Sequence, residues 1–105
     1  MKSVFPDRKK RNTEEIIASI LDAARNETTK TRIMYVSYLS FSQLQRYINY
    51  TLETRLLDLD TKANKYRTTN KGLEFLKQFE EVHNIENNII EKRRSLSAIL
   101  ENKEG

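Results

Sequence analysis

The C-terminal third of the chain is one uninterrupted helical pattern, and this feature limits the possible folds most. Between Leu73 and Asn102 there is no glycine or proline, and apolar residues recur with the three- and four-residue spacing of a helix. About thirty residues of α-helix extend ~45 Å, which is longer than the core that a chain of 105 residues can build. The sequence therefore predicts a small globular domain that carries a long projecting helix.

The distal part of this helix has the spacing of a coiled coil. From Val82 onward the apolar residues alternate at intervals of three and four, provided that Lys92 takes one position of the seam. A lone helix would leave these side chains in water, so pairing with a second copy of the chain is predicted. An antiparallel pair is slightly favoured because it places Glu86 near cations of the partner subunit. The predicted dimer interface consists of Phe79, Val82, Ile85, Ile89, Leu96 and Ile99.

Three shorter helices are predicted ahead of the long one. Each follows a residue type that caps helix N-termini well, and Ser40 with Gln43 has the spacing of a capping box. We predict helices at 13–25, at 30–36 and from Ser40 onward, with residues 26–29 as a linker. The predicted inner positions are Ile16, Ile17, Ile20, Leu21 and Ala24 in the first helix, Ile33, Met34 and Val36 in the second, and Leu44, Tyr47, Ile48, Thr51 and Leu52 in the third.

A short hairpin is predicted between the third helix and the long one. Residues 57–60 alternate apolar and acidic side chains, residues 61–65 resemble a turn, and residues 66–68 form a return strand. The order helix, helix, helix, hairpin, helix is that of a winged helix-turn-helix, a mainly α (α+β) fold. The predicted winged-helix domain spans 12–72, and the dimerisation helix spans 73–105.

Positive charge is concentrated in two parts of the chain. The formal net charge is +4, but residues 1–11 carry five basic residues and one acid, and residues 25–71 carry nine basic residues and four acids. We predict that residues 1–11, which include Pro6, form a flexible basic arm. Such asymmetry indicates a polyanionic partner, although a basic tail also occurs in proteins that bind none.

The outer face of the third helix is the best candidate for reading DNA, because it is polar and contains no acid before Glu53. Arg46 has the chemistry to pair with guanine, and Gln45 or Asn49 with adenine, whereas the cap can occupy Gln43 instead. An ordinary solvated helix face is the alternative. The predicted double-stranded-DNA contacts are Ser42, Gln43, Gln45, Arg46 and Asn49 of the third helix, Lys62, Lys65 and Arg67 of the hairpin, Lys30 and Arg32 of the second helix, and Arg8, Lys9, Lys10 and Arg11 of the arm.

The sequence predicts no enzymatic activity, no metal and no cofactor. Cysteine is absent, and His83 is the only histidine. Asp58 and Asp60 alternate on one strand, but no third ligand follows nearby, and no glycine-rich phosphate loop is present. We also expect no small-molecule substrate and no membrane partner, because no signal peptide or spanning segment is recognisable. The expected location is cytoplasmic, in association with the nucleoid.

Three segments together resemble one archaeal family. The segments are Lys30-Thr31-Arg32-Ile33-Met34-Tyr35, Leu39-Ser40-Phe41-Ser42-Gln43-Leu44 with Tyr47, and Tyr66-Arg67-Thr68-Thr69-Asn70-Lys71-Gly72-Leu73-Glu74-Phe75-Leu76. With them the chain resembles the small winged-helix DNA-binding proteins first described as ten-kilodalton-a nucleoid proteins. The resemblance covers about residues 12–100. It implies an antiparallel coiled-coil dimer that binds DNA, with the recognition helix at 40–54. The chain departs from the family in its extended N-terminal arm and in the asparagine- and charge-rich segment 84–94.

The sequence is therefore consistent with two functions. The first is a dimeric DNA-binding protein that regulates transcription or organises chromatin by occupying DNA. The second is a winged-helix module that binds proteins and not DNA. Its support is that Arg46 is the only charged residue on the third helix before Glu53.

Overall fold

The computed structural model describes residues 11–102, a span that leaves out residues 1–10 of the arm and residues 103–105. Within this span, four helices and one antiparallel two-stranded sheet follow one another in the order that the sequence predicts, so the winged helix-turn-helix fold is confirmed. The elements are α1 (Thr13–Ala23), α2 (Lys30–Ser37), α3 (Phe41–Glu53), β1 (Leu57–Asp60), β2 (Lys65–Thr68) and α4 (Asn70–Glu101).

Side-chain caps fix where the helices begin. The Asn12 side chain accepts a hydrogen bond from the Glu15 amide at 2.7 Å, and the Glu15 carboxylate accepts one from the Asn12 amide at 3.0 Å. Helix α1 ends at Ala23, two residues before the predicted end. The carbonyl of Ala24 instead accepts a hydrogen bond from the Thr68 amide at 2.8 Å, so the chain leaves the helix to meet the hairpin.

The core lies where α1, α2 and α3 meet the base of the hairpin. All five inner positions predicted for α1 are buried there, and Leu39, which follows α2, also points inward. Met34, Tyr47 and Leu52 pack against this core while half-buried. The largest fully buried side chains are Ile20, Leu21, Ile33, Leu44, Ile48, Leu57, Thr51 and Ser37.

The linker predicted between α1 and α2 takes part in the sheet, which the sequence analysis did not predict. The Thr28 amide donates to the Tyr66 carbonyl at 3.0 Å, and the Tyr66 amide donates to the Thr28 carbonyl at 2.8 Å. The Thr68 hydroxyl, which is buried, also donates to the Leu21 carbonyl at 2.6 Å. These bonds attach the hairpin to the end of α1.

The first turns of α4 are anchored in the domain, and the remainder projects from it. Leu76 is buried, and Phe75 and Phe79 are half-buried against the core. From residue 80 to residue 102 every side chain is exposed. The 32 residues of α4 extend about 48 Å, which explains the longest molecular dimension of 68 Å. No helix within residues 11–102 combines the length and the apolar character that crossing a bilayer requires.

The start of α4 leaves no room for a side chain at Gly72. Thr69 caps the helix by accepting a hydrogen bond from the Gly72 amide at 3.0 Å, and it also donates to the Arg55 carbonyl at 2.7 Å. A Cβ atom on Gly72 would overlap the Leu56 carbonyl oxygen and lie 2.6 Å from the Thr68 Cγ2 atom. Glycine is therefore required here by close packing between α4 and the backbone before β1.

Replacing Gly72 with alanine is expected to lower the free energy of unfolding by about 1–3 kcal/mol, because the added methyl group overpacks this junction. An alanine in an open helical position would instead stabilise the protein, so the sign of the change is informative. The measurement is urea denaturation at fixed protein concentration, with Ser97→Ala at an exposed position of the same helix as control. An equal or higher stability of Gly72→Ala would contradict the close packing.

Candidate nucleic-acid interface

Helix α3 presents one polar face to solvent because its apolar side packs in the core. Leu44, Ile48 and Thr51 are buried at three- and four-residue spacing. The residues opposite them are exposed or half-buried, as the periodicity predicts. This outer face carries Ser42, Gln43, Gln45, Arg46, Asn49 and Tyr50.

The first turn of α3 is held by a reciprocal cap. The Ser40 hydroxyl accepts a hydrogen bond from the Gln43 amide at 3.2 Å, and Gln43 Oε1 accepts one from the Ser40 amide at 3.1 Å. The Ser42 hydroxyl lies 3.5 Å from that of Ser40. Gln43 therefore forms part of the cap, which is one of its two predicted roles. Its Nε2 group remains to contact a ligand.

A row of hydrogen bonds joins α2 to the middle of α3. Lys30 Nζ donates to Gln45 Oε1 at 2.6 Å, and Gln45 Nε2 donates to Asn49 Oδ1 at 3.2 Å. The Lys30 ammonium also lies 5.7 Å from the centroid of the Phe41 ring, within the range of a cation–π interaction. We call Lys30, Gln45 and Asn49 the polar row. It brings together residues that the sequence analysis had assigned to separate contacts with phosphates and bases.

The hairpin places an acid opposite two of its three predicted DNA-binding cations. Its register pairs Asp58 with Arg67 and Asp60 with Lys65, so each pair shares one face of the sheet. Lys62 lies in the loop at the tip, outside the paired strands. The positive potential of the wing is therefore weaker along its strands than the number of its cations suggests.

Arg11 differs from its predicted place in a flexible arm. Its Nη2 atom donates to the Ser37 carbonyl at 2.9 Å, and the contact is partly buried. Carbonyl groups at a helix C-terminus lack partners within the helix and carry partial negative charge, which explains why a guanidinium binds there. The predicted contacts Arg8, Lys9 and Lys10 lie outside the described residues, and Arg32 is exposed on α2.

Two further cations lie beside the end of α3, and the sequence analysis did not include them among the candidate contacts. Lys71 Nζ donates to the Thr54 carbonyl at 2.7 Å, which places its charge at the C-terminus of α3. Arg55 is exposed and has a left-handed backbone, with φ of 65°. Both contribute to the basic excess of residues 25–71, but no spacing in the sequence brings Lys71 to α3.

Exposed aromatic side chains surround the turn between α2 and α3. Tyr35, Tyr38 and Phe41 are 79%, 63% and 64% exposed. Tyr38 adopts a left-handed conformation, with φ of 57°, which reverses the chain between the two helices. Of these rings, Phe41 contacts the polar row through Lys30.

The comparisons with known proteins agree with the fold and with the family resemblance. A family model described as winged helix-turn-helix matches residues 10–87. The structure is similar to the crystal structure of Sso10a-2, a DNA-binding protein from Sulfolobus solfataricus, with 25% sequence identity and a TM-score of 0.76 over 86% of this chain and 97% of that one. A search of curated proteins finds no match. Since the family model spans most of its length, this chain belongs to the winged helix-turn-helix family.

Proposed function

We propose that this protein binds double-stranded DNA as a homodimer, with α3 in the major groove and α4 pairing the two copies. The observation that carries the proposal is the outer face of α3. This face carries Gln45 and Asn49 of the polar row and the exposed guanidinium of Arg46, and α3 contains no acid before Glu53. The major groove admits one α-helix, and these side chains suit base edges. The similarity to Sso10a-2, whose description names a DNA-binding protein, supports the same conclusion.

The proposed phosphate contacts flank α3 on several sides. Arg32 extends from α2, Lys62 from the tip of the hairpin, Arg55 from the segment that follows α3, and Lys71 from the first turn of α4, where it contacts the end of α3. Arg67 and Lys65 contribute less because acids oppose them. Phosphate contacts position a protein on the duplex, whereas base contacts supply specificity. The affinity for DNA should therefore depend strongly on salt, since bound cations displace counterions from the duplex.

The proposed dimer interface is the apolar stripe on the projecting part of α4. Val82, Ile85, Ile89, Leu96 and Ile99 are 49–69% exposed in a single copy. They keep the three–four spacing of a coiled-coil seam, with Lys92 in the remaining position. The apolar groove between Ile85 and Leu96 has no cover from the described domain. A second copy supplies an identical helix of matching length and buries this stripe.

Charges beside the seam favour an antiparallel arrangement of the two helices. In a parallel pair, Glu81 would lie near Glu86 of the partner subunit, and two like charges would repel each other. In an antiparallel pair, Glu86 would instead lie near Arg93 of the partner subunit, which is an attractive contact. The two winged helices then occupy opposite ends of the rod. Such a dimer can bind two half-sites or two duplexes, which suits a transcriptional regulator or a nucleoid-organising protein in the cytoplasm.

Replacing both Gln45 and Arg46 with alanine is expected to weaken binding to duplex DNA by about tenfold or more, because it removes the central side chains of the proposed groove contact. Fluorescence anisotropy of a labelled duplex, titrated at several salt concentrations, gives the affinity and its salt dependence. The control is Arg94→Ala, which removes the same charge on the side of α4 opposite the seam. Unchanged binding of the double variant would exclude α3 as the contact surface.

The salt series also separates this proposal from a protein-interaction module. For the wild-type protein, the logarithm of the binding constant is expected to fall linearly with the logarithm of salt concentration, with a slope of about −0.9 per phosphate contacted. Absence of binding to any duplex at low salt would contradict the proposed DNA-binding function and favour a module that binds proteins.

Replacing Ile85 and Leu96 with aspartate is expected to convert the dimer into a monomer, because the introduced carboxylates then face one another across the seam. Sedimentation equilibrium measures the mass of the species directly. Asn87→Asp adds a negative charge on the opposite side of the same helix and should leave the dimer intact. A double variant that still sediments as a dimer would show that the subunits pair through another surface.

A further inference from the structure

The polar row determines which hydrogen-bonding groups α3 offers to a base. Lys30 is a donor only, so its 2.6 Å bond fixes the amide of Gln45 with Oε1 toward α2 and Nε2 toward Asn49. A bond from an ammonium group is charge-assisted and stronger than one between neutral groups. One of the two lone pairs of Gln45 Oε1 is therefore taken, and an ammonium charge lies beside the other, before any DNA is bound.

Recognition of adenine by an amide needs both of its polar atoms. The amide oxygen accepts from the adenine N6 amine while the amide nitrogen donates to N7. In the polar row, Gln45 Oε1 holds Lys30, and Asn49 Oδ1 accepts from Gln45. Reading adenine through Gln45 would bring the adenine amine beside the Lys30 ammonium, where donor faces cation. Reading it through Asn49 would use the second lone pair of an oxygen that Gln45 already holds. The sequence predicts that Gln45 or Asn49 reads adenine, and in the arrangement inferred here that contact is disfavoured.

Donors make up most of the hydrogen-bonding capacity that remains on the row. They are the further protons of the Lys30 ammonium, the second proton of Gln45 Nε2 and the Asn49 Nδ2 amide, beside the guanidinium of Arg46. Guanine presents two adjacent acceptors in the major groove, N7 and O6, whereas adenine and cytosine present an amine donor. A face of donors is complementary to the two adjacent acceptors of guanine, whereas at adenine it places a donor against the N6 amine beside N7.

We propose that Lys30 is a positioning residue that directs α3 toward guanine by holding the amide oxygen of Gln45 and placing its positive charge there. This inference rests on the proposed function, since it requires α3 to lie in the major groove. It names a specificity-determining contact, Lys30 to Gln45, which lies between two helices rather than on the recognition helix alone.

The experiment compares affinities of the full-length protein for matched duplexes by anisotropy. A guanine-rich duplex is expected to bind about tenfold more tightly than an A·T duplex of equal length. Inosine in place of guanine keeps N7 and O6 but removes the minor-groove amine, so the preference should persist. Replacement by 7-deazaguanine removes the N7 acceptor and should abolish most of the preference. Equal binding to all four duplexes would overturn the inference.

Variants of Lys30 test whether the row causes the preference. Lys30→Met removes the donor and keeps a long apolar stem, so the ratio of the two affinities should fall toward one. Lys30→Arg retains a cationic donor and should retain the ratio. Arg32→Met removes a charge from the same helix and should weaken binding to both duplexes alike. A guanine preference that survives in Lys30→Met would overturn the inference.

The two proposals fail in distinguishable ways. If the wild-type protein binds DNA through Gln45 and Arg46 without preferring guanine, the proposed function stands and the role of Lys30 is wrong. If the protein binds no duplex at low salt, the proposed function itself is wrong, and the inference about Lys30 is wrong with it.

Discussion

The junction between the hairpin and α4 is the constraint on which the other parts of the structure depend. Two consecutive threonines satisfy carbonyl groups from separate elements: Thr68 donates to Leu21 at the end of α1, and Thr69 donates to Arg55 beyond α3. Thr69 also caps α4, and Gly72 lets that helix approach the backbone before β1. The bond from Thr68 to Leu21 is buried, where an unpaired carbonyl would be costly. Together with the bonds of Thr69 it links the wing, the end of α3 and α4 to one another.

The same junction separates the two surfaces that the proposed function uses. The short helices and the hairpin form one compact domain around a common core, and their free polar face lies on α3. Helix α4 leaves that domain after Phe79 and exposes its apolar stripe well away from the core. Contact with DNA and pairing of subunits can therefore be altered by separate substitutions, because no residue of the polar row lies on the projecting part of α4.

Much of the fold was predictable because its determinants are local in the sequence. Helix spacing, the caps at Asn12 and Ser40, and the alternation in residues 57–60 act over three or four residues. The candidate site was less predictable. The chemistry of the α3 face was identified, but Lys71 was missed, and so was the hydrogen bond from Lys30 to Gln45. Those contacts depend on how α2 and α4 cross α3, which no short-range pattern encodes.

The sequence by itself determined the element types, the inner faces of the helices and an apolar stripe on α4 too long for the core to cover. It did so because burial of apolar side chains follows the helical and strand periods. Only the tertiary structure decided that Thr28 pairs with Tyr66, that Arg11 binds the end of α2, and that Lys30 donates a hydrogen bond to Gln45. These partners are 15 to 38 residues apart in the chain. Their pairing follows from the packing of whole elements, since a hydrogen bond requires its two atoms within about 3 Å.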